Sequence, residues 1–156
     1  MSPVLLVTGA AGFIGANFVR YWLDEHPDDR LVVLDALTYA GNEASLQGLD
    51  GRRGYSFVHG DIGDEGLVAD LLARPDRPTA LLCTDDTFAF AAYGAARDLD
   101  LEIPTDLSVV GCNDQPSAQV LPPALTTIRL PAAELGRLAV TALLEGHTDQ
   151  PPLSTQ

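Results

Sequence analysis

The sequence predicts an α/β fold in which one doubly wound parallel β-sheet carries helices on both faces. Short apolar runs, which are typical of buried parallel strands, alternate along the chain with stretches of helical periodicity. A glycine-rich turn joins the first apolar run to the first helical stretch. The chain has 156 residues, which suits one domain with its own core. Right-handed crossovers then predict the strand order 3-2-1-4-5, extended by a short sixth strand if the last apolar run pairs.

Turn residues separate the expected elements and set their limits. Strands are expected at residues 4–7, 31–34, 55–60, 79–83, 107–112 and 125–128. Helices are expected at residues 16–23, 65–73 and 87–99, with a short helix at 43–47. Pro131 opens a last helix, whose apolar positions at helical spacing are Leu135, Leu138, Ala139, Ala142 and Leu143. The breaker cluster at 74–78 is a candidate junction between halves at 1–73 and 79–146, and the tail at 147–156 is expected to be frayed.

The segment Val4–Gly15 (VLLVTGAAGFIG) is a candidate anion-binding turn. Gly9 allows a tight turn, Gly12 lets a pyrophosphate approach the backbone, and Gly15 lets the helix pack against the strand. Backbone N–H groups at the start of the helix would hold the anion. Asp35 follows the last glycine by about 20 residues, at the end of the second apolar run, which is the place of a ribose-binding carboxylate. A strand-end carboxylate that is simply solvated is the alternative for Asp35.

Composition excludes several classes of function. The net charge of −13 argues against a nucleic-acid-binding surface, and no run approaches the roughly 20 apolar residues of a membrane span. The N-terminus has no secretion-signal pattern, so we expect a cytoplasmic protein. Cys83 and Cys112 each end a predicted buried strand and are expected to be reduced core residues, with a disulfide between neighbouring strands as the alternative. His26 and His59 lack partners at metal-ligand spacing, so no metal site is predicted.

Residues 1–73 resemble the dTDP-glucose 4,6-dehydratase group of the extended short-chain dehydrogenase/reductase family. The motifs that carry the resemblance are TGAAGFIG (8–15), LTYAGN (37–42) and HGDI (59–62). The resemblance implies an NAD site in a Rossmann-like fold. The implied pyrophosphate contacts are Gly9, Gly12, Phe13, Ile14 and Gly15. Asp35 and Thr38 would then contact the ribose, and Asp61 and Ile62 would border the adenine. Ala36 stands where the family commonly has a lysine, which removes one cofactor contact.

From about residue 77 onward the chain resembles the C-terminal part of lactose-repressor-type regulators, which have a periplasmic-binding-protein-like ligand core. The carrying motifs are CTDD (83–86), IPTDLSVVGCND (103–114) and PALTTIR (123–129). The resemblance implies that Asp86, Asn113 and Asp114 lie where that family lines its sugar pocket. The residues themselves favour another reading, in which Asp86 caps a helix that begins at Thr87, and Asn113 and Asp114 are partners of loop backbone groups. The helix-turn-helix and the second lobe are absent, so we expect no operator binding.

We interpret the sequence as an engineered chimera without a complete active site. The dehydratase group's Tyr-x-x-x-Lys pair is missing; Tyr93 and Arg97 have its spacing, but they lie in a different helix and the lysine is absent. We therefore expect no enzymatic activity and a weak NAD site. The alternatives are a natural fusion, a fragment of a nucleotide-sugar dehydratase, and a sugar-binding half-lobe. Newly exposed apolar faces would also allow self-association, although the sequence does not give the oligomeric state.

Carboxylates near the junction are expected to weaken that site. Asp85 and Asp86 should stand on the fourth strand beside the glycine-rich turn, with Asp114 on the fifth. At an effective dielectric constant of about 20, a like-charge pair near 6 Å costs roughly 3 kcal/mol before screening. The same carboxylates could alternatively hold a weakly bound Mg²⁺ or Ca²⁺ ion.

Overall fold

The computed structural model describes residues 3–145, which form a six-stranded parallel sheet of order β3-β2-β1-β4-β5-β6. The strands are β1 (Val4–Thr8), β2 (Arg30–Asp35), β3 (Tyr55–His59), β4 (Ala80–Leu82), β5 (Ser108–Cys112) and β6 (Thr126–Ile128). The helices are α1 (Phe13–Glu25), α2 (Glu65–Ala73), α3 (Asp86–Asp98) and α4 (Ala132–Leu144), with 3₁₀ turns at Glu43–Leu46 and Pro116–Val120. The predicted α/β class, the strand order and the sixth strand are confirmed. The predicted tail at 147–156 lies outside the described residues.

The core has two parts, one on each face of the sheet. On one face α1 packs over β1 and β2, where Val7, Val19 and Leu31 are fully buried. On the other face α2 and α3 pack over the sheet, and this cluster contains Leu6 and Val32 together with Leu81 and Val109. Because β1 pairs with both β2 and β4, one continuous sheet joins the two predicted halves. Residues 74–78 form the connection from α2 to β4.

The first turn of α3 corrects one expectation. Asp86 was expected to cap a helix beginning at Thr87, but α3 begins at Asp86 itself and its N-cap is Asp85. The Asp85 carboxylate accepts a hydrogen bond from the Thr87 backbone N–H at 2.8 Å. Asp86, one residue further on, turns to the other side of the helix and is completely buried.

The two cysteines are both free and buried. Strand pairing sets Leu82 level with Val110, so residue 83 is level with residue 111 and one residue out of step with Cys112. Successive residues of a strand point to opposite faces of a sheet, so the two thiols lie on opposite faces. This geometry argues against the disulfide alternative. No helix within residues 3–145 is long and apolar enough to cross a membrane.

Candidate functional site

A cleft of about 490 Å³ opens at the carboxyl edge of the sheet. The ends of four neighbouring strands form its floor: Thr8 ends β1, Asp35 ends β2, Gly60 follows β3 and Thr84 follows β4. Strand order reverses between β1 and β4, so the connections that leave these two strands diverge there. In doubly wound sheets this switch point is where ligands bind.

The glycine-rich turn forms one wall of the cleft, and two of its glycines are required by their surroundings. Gly9 has a φ of +63° and donates its N–H to the carbonyl of Leu34 at 3.0 Å. A Cβ on Gly15 would lie 2.5 Å from the Ala10 Cα and 2.6 Å from the Gly9 carbonyl oxygen, so only glycine lets α1 approach β1 this closely. The predicted roles of Gly9 in the turn and Gly15 in packing match this geometry.

The start of α1 presents unsatisfied backbone donors to the cleft. The N–H groups in the first turn of a helix have no partner within the helix, and the N-cap here is Gly12, which has no side chain to satisfy them. The first turn also contains no acidic residue that would neutralise the positive end of the helix dipole. Phe13, Ile14 and Gly15 line the cleft at this point. The arrangement is suited to an anionic group such as a phosphate.

Asp35 ties two sides of the cleft together. Its side chain is nearly buried, at 7% exposure, and one carboxylate oxygen accepts the Ala11 N–H at 2.7 Å. The other oxygen accepts the Leu37 N–H at 2.8 Å. An ionised carboxylate has about four acceptor positions, so these two bonds leave capacity for hydroxyl donors of a ligand. Asp35 therefore orders the glycine-rich turn and stays able to bind.

The loop that follows β2 closes the side of the cleft. Its Asn42 N–H donates to the Ala11 carbonyl at 3.1 Å, which fixes the loop against the glycine-rich turn. Gly41 is confined, because a Cβ there would lie 2.7 Å from an Asp35 carboxylate oxygen. Tyr39 is fully exposed and Phe13 is 86% exposed, although both line the cleft. These exposed rings offer planar apolar surface to a ligand.

The residues predicted to border the adenine close the far end of the cleft. Asp61 accepts the Gly63 N–H at 2.8 Å, which shapes the turn after β3, and Ile62 is buried beside it. All nine residues assigned to cofactor contacts line the one cleft: Gly9, Gly12, Phe13, Ile14, Gly15, Asp35, Thr38, Asp61 and Ile62. Sequence reasoning missed Thr84 and Phe88 on the β4 side. The switch-point rule applied to the end of β4 would have found Thr84.

The acidic residues near the junction lie away from the cleft. Asp86 accepts the Gln115 N–H at 2.7 Å and the Thr127 hydroxyl at 2.6 Å, one at each carboxylate oxygen. Asp114 pairs with the Arg129 guanidinium at 2.5 Å, and neither aspartate lines the cleft. None of Asp85, Asp86 and Asp114 lines the cleft, so the expectation that they would face a pyrophosphate there is wrong. Their carboxylates are instead bonded to the start of α3, to the loop after β5 and to β6 and the residue that follows it. The carboxylates that do line the cleft are Asp35 and Asp61.

Asp85 belongs to a polar network that joins α3 to the loop after β5. Besides capping α3, its carboxylate accepts hydrogen bonds from the Asn113 amide at 2.5 Å and the Gln115 amide at 3.2 Å. Partial burial by itself would raise the pKa of Asp85, but the hydrogen bonds from Thr87, Asn113 and Gln115 outweigh it and lower this pKa. A sugar-binding role for Asp86, Asn113 and Asp114 stays a prediction. Within residues 3–145 no group of three or more His, Cys, Asp or Glu side chains could hold a metal ion.

A known protein family matches most of the chain. Residues 18–155 match the model of the periplasmic binding protein-like domain. The chain belongs to that family. Over 91 residues, the periplasmic binding protein-like chain is 44% identical to the ribose operon repressor of Haemophilus influenzae. This match covers 58% of the chain and 26% of the repressor. This confirms the resemblance to repressors of this type.

The resemblance to the dTDP-glucose 4,6-dehydratase group is also confirmed. Over 72 residues, or 46% of its length, the periplasmic binding protein-like chain is 57% identical to the low-salt glycan biosynthesis protein Agl12 of Haloferax volcanii. Over 72 residues it is 56% identical to the dTDP-glucose 4,6-dehydratase of Mycobacterium tuberculosis. The matches cover 23% and 21% of those proteins, so the chain spans about a fifth to a quarter of the length of the curated relatives it matches.

Solved structures show the same fold. A dTDP-glucose 4,6-dehydratase from Bacillus anthracis in complex with NAD superposes with a TM-score of 0.61 at 20% identity, covering 96% of this chain and 52% of that one. An uncharacterized protein from Actinobacillus succinogenes superposes with a TM-score of 0.68 at 24% identity, covering 99% of this chain and 52% of that one. At these identities the likeness establishes the fold alone.

Proposed function

We propose that this protein is a non-catalytic α/β scaffold that retains a weak NAD(H) site in the cleft at the carboxyl edge of its sheet. The observation that carries the proposal is the convergence on one cleft of an uncapped helix start and a strand-end carboxylate. These two groups are the parts of a dinucleotide site that hold the pyrophosphate and the ribose. The superposed dehydratase of Bacillus anthracis, whose structure contains NAD, supports the choice of ligand.

Gly12 shapes the glycine-rich wall of the cleft. Gly12 has an ordinary backbone conformation, with φ at −78°, so the turn itself does not demand glycine there. A Cβ at this position would project 3.2 Å from the Gly9 carbonyl oxygen and 3.7 Å from the Ala40 carbonyl oxygen. We infer that the missing side chain lets the turn close against these two carbonyl groups and hold the N–H donors of the helix start in the cleft.

Three features make the site weak. The net charge of −13 opposes an anionic ligand, and Asp61 adds a carboxylate to the cleft itself. Ala36 also lines the cleft at the position where the short-chain family commonly has a lysine. A lysine there would place a cation beside the bound ligand, and its absence leaves the helix start as the main source of positive potential.

The positions of Tyr93 and Arg97 support the proposal that the chain is not catalytic. Tyr93 packs against the core on the α2–α3 face, and burial raises its pKa, whereas a tyrosine acting as a base needs a lowered one. Arg97 is exposed and pairs with the neighbouring Asp98 at 3.4 Å. Neither residue lines the cleft, so neither would reach a ligand held there.

We also propose that the chain is an engineered chimera joined at residues 74–78, with a natural fusion as the alternative. Dehydratase-like and repressor-like relatives each match about half of the chain. Both source folds are parallel α/β sheets, so a strand from one can pair with a strand from the other. The β1–β4 pairing is where this would occur.

Calorimetric titration of NAD⁺ into the purified chain tests the site. We expect weak saturable binding that Gly12→Val abolishes, because the added side chain would crowd the Gly9 and Ala40 carbonyl groups and displace the N–H donors of the turn. Ala36→Lys should tighten binding by up to about fivefold, the effect of one exposed ion pair. Gly94→Ala, on α3 with open space around it, is the matched control and should leave binding unchanged.

The paired variants make the result decisive. Absence of heat at millimolar NAD⁺ from a cooperatively folded sample would disprove the cofactor site. Binding that survives Gly12→Val would place the ligand elsewhere. Turnover of a dTDP-sugar by the chain would instead support the dehydratase-fragment alternative and disprove the non-catalytic scaffold.

A further inference from the structure

The cleft at the carboxyl edge is built almost entirely by the first half of the chain. All but two of the residues that line it lie between Thr8 and Ile62, and the two exceptions are Thr84 and Phe88. In a doubly wound sheet each half holds one nucleotide, and a dinucleotide extends across the point where the strand order reverses. That point lies between β1 and β4, so the second nucleoside of a dinucleotide belongs on the β4–β6 side.

The start of α3 is the counterpart, on that side, of the start of α1. Each helix follows one of the two strands that flank the switch point. Whereas α1 begins after Gly12 with neither a side-chain cap nor an acidic first turn, α3 is capped by Asp85 and has Asp86 in its first turn. The cap satisfies a backbone donor, and the carboxylates offset the positive end of the helix dipole. The start of α3 is therefore unsuited to an anionic group.

The polar side chains that follow β5 are engaged with one another. The Asp85 carboxylate accepts hydrogen bonds from the Asn113 amide at 2.5 Å and the Gln115 amide at 3.2 Å. Asp114 is paired with Arg129. None of these five side chains lines the cleft. The groups that would have to bind a ribose or a carboxamide on this side are thus held in a network of their own.

Thr84 marks the boundary of the cleft at the switch point. A Cβ added to Gly9 would collide with the Thr84 hydroxyl oxygen, so this hydroxyl stands directly against the turn at the end of β1. Phe88, in the first turn of α3, lines the cleft on the same side. No residue of β5 or β6 lines it. These two side chains therefore form the wall at which the cleft ends.

We propose that the cleft recognises an adenosine diphosphate group, and that NAD(H) binds through this half of the molecule alone. The inference rests on the proposed function, since the same cleft holds the ligand. The diphosphate lies at the start of α1, the ribose hydroxyls lie at Asp35, and the base lies toward Asp61 and Ile62. The nicotinamide riboside extends past Thr84 into water and adds no affinity. Any ligand that carries an adenosine diphosphate group is then of the same class as NAD(H).

Calorimetric titration of NAD⁺, ADP-ribose and nicotinamide mononucleotide tests this assignment. ADP-ribose retains the adenosine, the diphosphate and the second ribose of NAD⁺ and lacks only the nicotinamide. We expect its dissociation constant to lie within about fivefold of that for NAD⁺, and nicotinamide mononucleotide to bind at least about tenfold more weakly than ADP-ribose.

The outcomes separate the two proposals. No binding by any of the three ligands would overturn the cofactor site and this inference together. NAD⁺ that binds more than about fivefold more tightly than ADP-ribose would overturn this inference alone and leave the cofactor site standing. The same holds if nicotinamide mononucleotide binds as tightly as ADP-ribose.

The fluorescence of NADH reports directly on the position of the nicotinamide. The reduced ring is the fluorescent group, and its emission maximum depends on whether it lies in water or against protein. We expect the emission maximum of free NADH to persist when calorimetry shows that the site is saturated. A shift to shorter wavelength on binding would place the ring inside the protein and overturn the inference.

Asp85→Ser gives an independent test on the β4 side. Serine is as good a helix cap as aspartate, so the variant keeps α3 capped and removes only the carboxylate. The oxidised nicotinamide ring is cationic, and a ring held beside Asp85 would lose affinity in this variant, whereas ADP-ribose would not. We expect the ratio of the two dissociation constants to stay at its wild-type value. A loss of affinity for NAD⁺ alone would show that the nicotinamide half is bound and would overturn the inference.

Discussion

Gly15 is the residue at which α1 comes closest to the end of β1. Alanine at this position would put its Cβ within 2.6 Å of backbone atoms of Gly9 and Ala10, which cannot move without opening the turn. We expect Gly15→Ala to lower the free energy of unfolding by about 3 kcal/mol, at the upper end of overpacking effects. Urea unfolding followed by circular dichroism measures this loss.

A second glycine gives the matched control for that prediction. Gly94 lies inside α3 with nothing near the position of its Cβ, so Gly94→Ala should raise stability by about 0.5–1 kcal/mol through helix propensity. Opposite signs for the same chemical change would show that local space decides the outcome. Equal effects at the two positions would contradict the close approach of α1 to β1.

At the scale of one element, the cap of α3 should make stability depend on pH. The pKa of Asp85 is lowered in the folded chain, since hydrogen bonds to its carboxylate outweigh the opposing effect of burial. A lowered folded pKa stabilises the fold above the unfolded value of about 3.9 and loses that contribution as pH falls through the folded value. We expect Asp85→Asn to lower the free energy of unfolding by about 1 kcal/mol at pH 7, because a neutral amide accepts weaker hydrogen bonds than a carboxylate, and the difference from wild type to shrink as the pH falls below 4.

Urea unfolding of both proteins across this pH range measures the difference. Asp28→Asn is the control, because Asp28 makes an exposed 3.9 Å pair with Arg53 that contributes little at pH 7. A difference between Asp85→Asn and wild type that persists unchanged to pH 2 would show that the charge of Asp85 does not act through the cap.

The same helix shows what the sequence could and could not predict. Most strand and helix limits were predicted within a residue or two, and α2 was predicted without error, because apolar periodicity and turn residues act locally. The N-cap of α3 was predicted wrongly, because Asp85 and Asp86 are equally suitable caps when judged from their neighbours alone. Their roles are decided by Gln115 and Thr127, which are 29 and 41 residues away from Asp86. That α4 has no buried residue was hidden for the same reason, because helical spacing does not say what a helix packs against.

At the scale of the whole molecule, the two halves defined by their relatives do not correspond to two cores. The cluster on the α2–α3 face joins Leu6 and Val68 from the first half to Leu81 and Val109 from the second. The backbone repeats this connection, because Thr79 donates its N–H to the Val4 carbonyl at 2.9 Å. Neither half can therefore bury its apolar surface without the other, whatever the origin of the junction at 74–78.

Unfolding should consequently be one cooperative transition, and each half carries its own probe for it. Trp22 is the single tryptophan and stacks on His26 with ring centroids 4.2 Å apart, so its fluorescence reports the first half. Cys83 reports the second, since burial keeps its thiol inaccessible and raises its pKa to about 12, and Cys112→Ser removes the other thiol. We expect tryptophan fluorescence, thiol labelling and circular dichroism to give one urea midpoint, with a slope of about 1–3 kcal/mol per molar urea. A thiol that becomes reactive while Trp22 still shows native fluorescence would mean that the second half opens alone, and the shared core would then contribute less than the β1–β4 pairing implies.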